Sequence, residues 1–279
     1  MYRKILVPLD GSKQAECVLD IAGELARRAN AQLDLVHVST ALEAQSLAHD
    51  NYLERLAQQM AERWRIQTTA TIVDDERFEP KLDVASALFQ FACDSRADLV
   101  VMARLGRGSL VRMWLSSVSE RIIRWCPVPV LLWRYTGSAP EPETLAAVRR
   151  ILVPLDGSRV AEEVLDHAID MQRLLDAVLQ LVRVVAPSGG TAEQARDYLD
   201  ATAATLSSRG VRVQTQLIEA ESVSQAILDH AARAPSAMIA MSTHGYTGIA
   251  RMLLGSVAAG MLDNATVPVM LFRPIDLIG

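Results

Sequence analysis

Three observations predict an α/β fold of two tandem, doubly wound, five-stranded parallel-sheet domains. A segment is written twice: Arg3 to Ser12 reads RKILVPLDGS and Arg149 to Ser158 reads RRILVPLDGS. A second segment recurs near the end of each unit, VPVLLWR from Val128 to Arg134 and VPVMLFR from Val267 to Arg273. Between these landmarks short apolar runs alternate with longer amphipathic stretches, the pattern of strands and helices that wind over both faces of a parallel sheet.

In the first unit KILVPL, QLDLVHV, QTTATIV, DLVVMA and PVLLW read as strands. The segments between them carry apolar residues at helical spacing: Ala15, Val18, Leu19, Ala22 and Leu25, then Leu53, Leu56, Met60 and Trp64, then Val84, Leu88 and Phe91. The second unit repeats the order with ILVPL, VLQLVRVV, VRVQTQLI, AMIAMS and PVMLF, and its third helix carries Val223, Ile227 and His230. The offset between copies falls from 146 at the first repeated segment to 139 at the last, so the second copy is seven residues shorter. The polar stretch ALEAQSLAHDNY places that loss around the second helix. Between the copies YTGSAPEPETLAAV has linker composition. The expected division is a first domain over 1–136, a linker over 137–147 and a second domain over 148–279.

A chain of 279 residues accommodates two such domains, each of about 140 residues and able to bury its own core. Half the residues are apolar and the formal net charge is −5, which argues against a nucleic-acid binder relying on a basic surface. Cys17, Cys93 and Cys126 lack metal-ligand spacing and read as reduced packing thiols. The opening MYRKILVPLD is too short an apolar run for a signal peptide, and no segment approaches the roughly eighteen apolar residues of a membrane span. The expectation is a cytoplasmic protein with neither membrane nor nucleic-acid partner.

The most informative stretch is Ser242 to Val257, STHGYTGIARMLLGSV. It joins a strand-like run to a helical one. Gly245 suits a positive φ, and Gly255-Ser256 opens a helix whose free N–H groups favour an anion. Ser256 is expected to cap that helix and to offer its hydroxyl to a phosphate. Taken alone, the stretch is equally compatible with a bound anion and with a plain turn and cap.

The spacing Ser242-x2-Gly245-x9-Gly255-Ser256 resembles the G-x2-G-x9-G-[S/T] signature of the ATP-binding universal stress proteins, with serine for the first glycine. The resemblance covers both units. It implies a strand order of 3-2-1-4-5, so that VPLDGS after strand 1 and STHGYTG…GSV after strand 4 meet across the crevice where the winding reverses. It also implies pairing of domains through their last strands, and homodimerisation of the chain as a further expectation. The implied ligand is an adenine nucleotide, ATP in particular, with magnesium entering only with its phosphates.

In the second unit the residues expected at the nucleotide are Pro154, Leu155, Asp156, Val184, Met241, Ser242, Gly245, Arg251, Gly255, Ser256 and Val257. Asp156 suits a ribose hydroxyl or magnesium, but its plainer role, favoured without a ligand, is an Asx turn with an N-cap at Ser158. Val184 ends its strand where the family contacts adenine, and Met241 finishes strand 4 beside it; core packing accounts for both equally well. Arg251 suits a phosphate or plain solvent. Pro8, Asp10, Val38, Met102, Gly106 and Ser117 are the counterparts in the first unit. There Ala103 and Ser116 stand for the first and third glycines of the signature. If position 116 needs a left-handed backbone, a serine there is strained, and its Cβ intrudes where phosphate should pass.

No P-loop is present, GRGSLV at Gly106 lacks the third glycine of a dinucleotide fingerprint, and no metal-binding pattern appears. His244 has no nucleophile or carboxylate fixed beside it by spacing, so no catalytic residue is assigned. The reading is a nucleotide-binding regulatory protein with slow or no hydrolysis, stronger in the second unit. A nucleotide-independent interaction module and an adenylyl- or phosphoryl-transfer enzyme are the alternatives.

Overall fold

The computed structural model describes residues 1–39, 48–74, 83–105, 121–135, 137, 142–187, 192–234, 237–244 and 254–274. The chain divides into two compact units, Met1–Leu145 and Ala146–Gly279. The helix α6 (Pro142–Ala146) lies within the stretch read as linker, with proline in its first position, where a missing N–H costs nothing.

Unit one contains β1 (Lys4–Pro8), α1 (Lys13–Glu16), α2 (Leu19–Ala29), β2 (Gln32–Ser39), α3 (Ala48–Trp64), β3 (Thr68–Asp74), α4 (Val84–Asp94), β4 (Leu99–Leu105), α5 (helical over 121–125) and β5 (Val130–Tyr135). Its parallel strands lie in the order β3-β2-β1-β4-β5. Unit two contains β6 (Arg150–Pro154), α7 (Arg159–Glu162), α8 (Val164–Leu175), β7 (Val178–Val185), α9 (Ala192–Ser208), β8 (Val213–Glu219), α10 (Val223–Ala232), β9 (Ala237–Ser242), α11 (Ser256–Asn264) and β10 (Val269–Phe272). The same parallel order recurs as β8-β7-β6-β9-β10. Both units therefore have the 3-2-1-4-5 topology.

Sequence composition explains which strands sit inside. Ile5, Leu6 and Val7 of β1 and Ile151, Leu152 and Val153 of β6 are wholly buried, as expected of strands covered on both faces. The edge strands β3 (TTATIVD) and β8 (VQTQLIE) alternate polar residues and remain partly exposed, which suits strands with one open side.

Two expectations are corrected. The first amphipathic stretch is two helices in each unit, interrupted at Cys17–Val18 and at Glu163. The seven-residue deletion does not fall around the second helix. Tyr52 and Tyr198 make the same bond to Glu16 and Glu162, so the offset of 146 persists into α3 and α9. The helix N-caps Asp83 and Ser222 are already 139 apart. Nine residues separate β3 from α4 and only three separate β8 from α10, so most of the loss lies after the third strand. A connecting loop sheds residues at little entropic cost, whereas shortening a helix that packs on the sheet would forfeit buried contacts.

Candidate functional site

The crevice arises because the central strands part. β6 and β9 pair only over Arg150↔Ala237, Ile151↔Met238 and Leu152↔Ile239. Pro154, at the end of β6, has no N–H with which to extend the ladder. A pocket opens there, lined by Pro154, Leu155, Asp156, Ala161, Val182, Val184, Val223, Ile227, Met241, Ser242, Thr243, His244, Gly255, Ser256, Val257 and Ala258. Nine of the eleven residues expected from the sequence of unit two thus converge on one cavity. Gly245 and Arg251 lie outside the described residues, as do Gly106 and Ser117 in unit one.

After β6 the chain turns through Asp156-Gly157-Ser158. Asp156 Oδ1 accepts the Ser158 N–H at 2.9 Å and the Ser158 hydroxyl at 2.6 Å. The Ser158 hydroxyl oxygen in turn accepts the Ala161 N–H at 3.1 Å and caps α7. Gly157 takes φ +86, which only glycine adopts without strain. Unit one repeats the device with Asp10, Ser12 and Ala15 at 3.0, 2.6 and 3.1 Å. The plainer role weighed for both aspartates is therefore present, and Asp156 also faces the pocket.

On the opposite lip, β9 ends at Ser242, whose hydroxyl donates to the Val160 carbonyl at 2.8 Å and lies 3.3 Å from that of Ala161. Serine is accommodated in place of the signature's first glycine because α7 supplies these acceptors. The Thr243 N–H donates to Phe272 O at 2.8 Å, and the Gly255 N–H donates to Thr243 O at 2.9 Å. That last bond anchors the start of α11 to the end of β9.

Gly255, rather than Ser256, is the N-cap of α11, and no side chain caps the helix. Ser256 is the first helical residue, which corrects the expected cap. Gly255 has φ −58 and ψ 146, a conformation open to any residue. Glycine is needed for space: a Cβ built there would lie 3.0 Å from Thr243 O. Ser116 lies outside the described residues.

The amides at the start of α11 have no carbonyl within the helix to meet, and its first turn holds no acidic residue. Ser256, Val257 and Ala258, the first residues of that helix, line the pocket. Val182, Val184, Leu155, Val223, Ile227 and Met241 supply its apolar part. Val182, missed in the sequence, stands two residues before Val184 on the same strand face; Ile227 is buried on α10, whereas Val223, at the start of that helix, is exposed. Thr243 Oγ1 is 2.9 Å from His244 Nδ1.

In unit one Pro8 closes β1, Asp10 forms its turn, and Val38 is buried near the end of β2. Met102 does not finish β4, which continues to Leu105. Among the described residues no group of three or more His, Cys, Asp or Glu side chains is arranged to hold a metal, and no helix is long and apolar enough to cross a membrane.

The model of the universal stress protein family matches residues 1–134 and again 147–273. A universal stress protein of Mycolicibacterium smegmatis is 26% identical over 295 residues, spanning 97% of each chain. Among solved structures, a universal stress protein of Archaeoglobus fulgidus superposes with TM-score 0.71 at 19% identity, over 97% of this chain and 96% of that one. One described as a putative universal stress protein of Pseudomonas aeruginosa reaches TM-score 0.74 at 18% identity, over 99% and 95%. Two copies of one doubly wound unit, each matched by the family model, establish that this chain belongs to the universal stress protein family.

Proposed function

We propose that unit two binds an adenine nucleotide, ATP in particular, and that the chain acts as a regulatory protein whose state follows occupancy. The observation that carries this reading is the uncapped start of α11, whose first residues line a pocket that is otherwise largely apolar. A polar helix end against an apolar wall suits a molecule with phosphates at one end and a flat base at the other. The base lies against Val182, Val184, Ile227 and Met241, the ribose is within reach of Asp156, and the phosphates meet Ser256 and Val257. Gly245 completes the signature in sequence, and Arg251 lies within the same loop sequence. A chain of net charge −5 offers phosphates little general attraction, so these local donors must supply it. Magnesium comes with the phosphates, and Asp156 is the carboxylate in the lining available to it.

The role is binding rather than rapid turnover. His244 is the titratable base in the lining, and its neighbour Thr243 already lies within hydrogen-bond distance of Nδ1. Mass spectrometry of nucleotide released from the denatured protein tests the proposal, run beside Gly255→Arg. Adenine nucleotide near one per chain, lost in the variant, is the expected result. An empty protein whose melting temperature does not respond to added ATP overturns it.

A further inference from the structure

Unit two has a second and larger cleft, about 610 Å³, that shares no lining residue with the nucleotide pocket. It runs between α10 and the edge strand β8, with Arg150 of β6 also in its wall. Its charged residues are Arg150, Arg233, His230, Asp229 and Glu219. Among the described residues neither guanidinium is bonded to an acid or a carbonyl. His230 Nε2 lies 3.0 Å from Gln180 Oε1, so Nε2 carries the proton and Nδ1 is the nitrogen that titrates. Burial, followed by Arg150 and Arg233, holds its pKa below the ordinary value. Two cations thus surround a half-buried imidazole.

The corresponding place in unit one is compensated. Lys4, the counterpart of Arg150, pairs with Asp34 at 3.3 Å. Asp98 accepts the N–H groups of Arg3 and Lys4 at 2.7 and 2.9 Å. In unit two Gln180, Arg233 and Ala237 replace Asp34, Asp94 and Asp98, and His230 replaces Phe91. One acid is gained, Asp229 for Gln90, and its carboxylate accepts from Gln225 at 2.8 Å. With three acids removed and one gained, Arg150 and Arg233 balance Glu219 and Asp229 in the lining, and protonation of His230 turns it positive.

We propose that this cleft binds a small organic monophosphate, its phosphate held by Arg150, Arg233 and His230, independently of any nucleotide in the crevice. Two guanidiniums and a protonatable imidazole match a dianion in charge and in donors. The volume far exceeds a phosphate, and Leu217, Ile218 and Ala226 offer an apolar wall to the rest of the molecule. Glu219 and Asp229 in the same lining oppose a second anionic group, which disfavours polyphosphates.

The test is NMR of the His230 imidazole in the full chain, titrated with inorganic phosphate and with glycerol 3-phosphate at matched ionic strength. A saturable shift and a raised His230 pKa are expected with both probes, with glycerol 3-phosphate the tighter. Arg233→Asp, which installs the unit-one residue on an exposed helix face, weakens binding at least about tenfold, as does Arg150→Gln. The response persists in Gly255→Arg, which separates this site from the nucleotide pocket. No saturable shift at millimolar probe, or an undiminished one in Arg233→Asp, overturns the proposal; tighter binding of inorganic phosphate overturns the ligand class. Should Arg150→Gln fail to fold, Arg233→Asp decides the matter alone.

Discussion

The fourth strands of the two units start alike and end differently. In unit one β4 continues in register with β5 through Arg104↔Arg134 and Leu105↔Tyr135. In unit two the ladder stops at Ser242↔Phe272, and the next carbonyl, that of Thr243, turns to the N–H of Gly255. Thr243 is the counterpart of Arg104. A residue that stays in the ladder in one unit is in the other the anchor of a helix start. A strand can therefore extend its sheet or hold the next helix against its own end, and the second arrangement needs a residue without a side chain at the point of contact.

Substituting the unit-one residue at that contact breaks the comparison most directly. Gly255→Ser puts a Cβ 3.0 Å from a backbone oxygen that cannot swing aside. The expected cost is about 1–3 kcal/mol of stability, as for other overpacked sites. Nucleotide affinity is expected to fall at least about tenfold, since the amides that meet phosphate move with the helix. Denaturant unfolding and calorimetric titration read the two effects. An unchanged affinity would mean that α11 does not hold the phosphates.

A smaller effect comes from the paired turns. Asp10→Ala and Asp156→Ala each remove two hydrogen bonds at a helix start, for about 1–2 kcal/mol of stability in either unit. Only Asp156→Ala is expected to weaken nucleotide binding as well. Equal losses of binding in both variants would make the aspartate purely a turn former. Ser242→Ala is milder still: its hydroxyl donates to α7, so about 1 kcal/mol of stability is lost and affinity holds. A clear rise in Kd would show instead that the hydroxyl serves the ligand.

The elements were legible in the sequence because they rest on local signals, whereas the strand order and most of the pocket came through the resemblance to a known family. Alternating apolar runs fix strands and helices, and Asp-Gly-Ser fixes a turn wherever it follows a strand. The length and start of the helices were less legible. Whether Gly255 or Ser256 caps α11 depends on where Thr243 O sits, a contact across more than ten residues that no spacing rule encodes. The place of the deletion was misjudged for a similar reason: α3 looks expendable by composition, but Tyr52 and Tyr198 tie both second helices to their first. Val182 was missed although its strand was assigned, because a buried valine reads the same whether it faces the core or a ligand.

The finest test of the comparison is pH. Burial lowers the pKa of His167 and, with Arg150 and Arg233, that of His230, both in unit two. A histidine whose folded pKa is depressed adds stability above its unfolded value, ordinarily 6.5, and that stability is lost as the pH falls through the folded value. In unit one the acid-sensitive counterpart is Glu24, whose pKa is lowered chiefly by its hydrogen bond to Arg27. Its contribution is lost only below the ordinary carboxylate value of 4.5. Between about pH 7.5 and 5.5, then, unit two should weaken while unit one holds. All four tryptophans, Trp64, Trp114, Trp125 and Trp133, lie in unit one, so their fluorescence follows that unit alone while circular dichroism follows both. The expected result is a dichroism melting curve that acquires an earlier phase on acidification, beside an unmoved tryptophan midpoint. The double variant His167→Gln, His230→Gln should lose that phase. A tryptophan midpoint that falls in step would show that the two units unfold as one body, and that the differences at their strand ends do not set their stabilities apart.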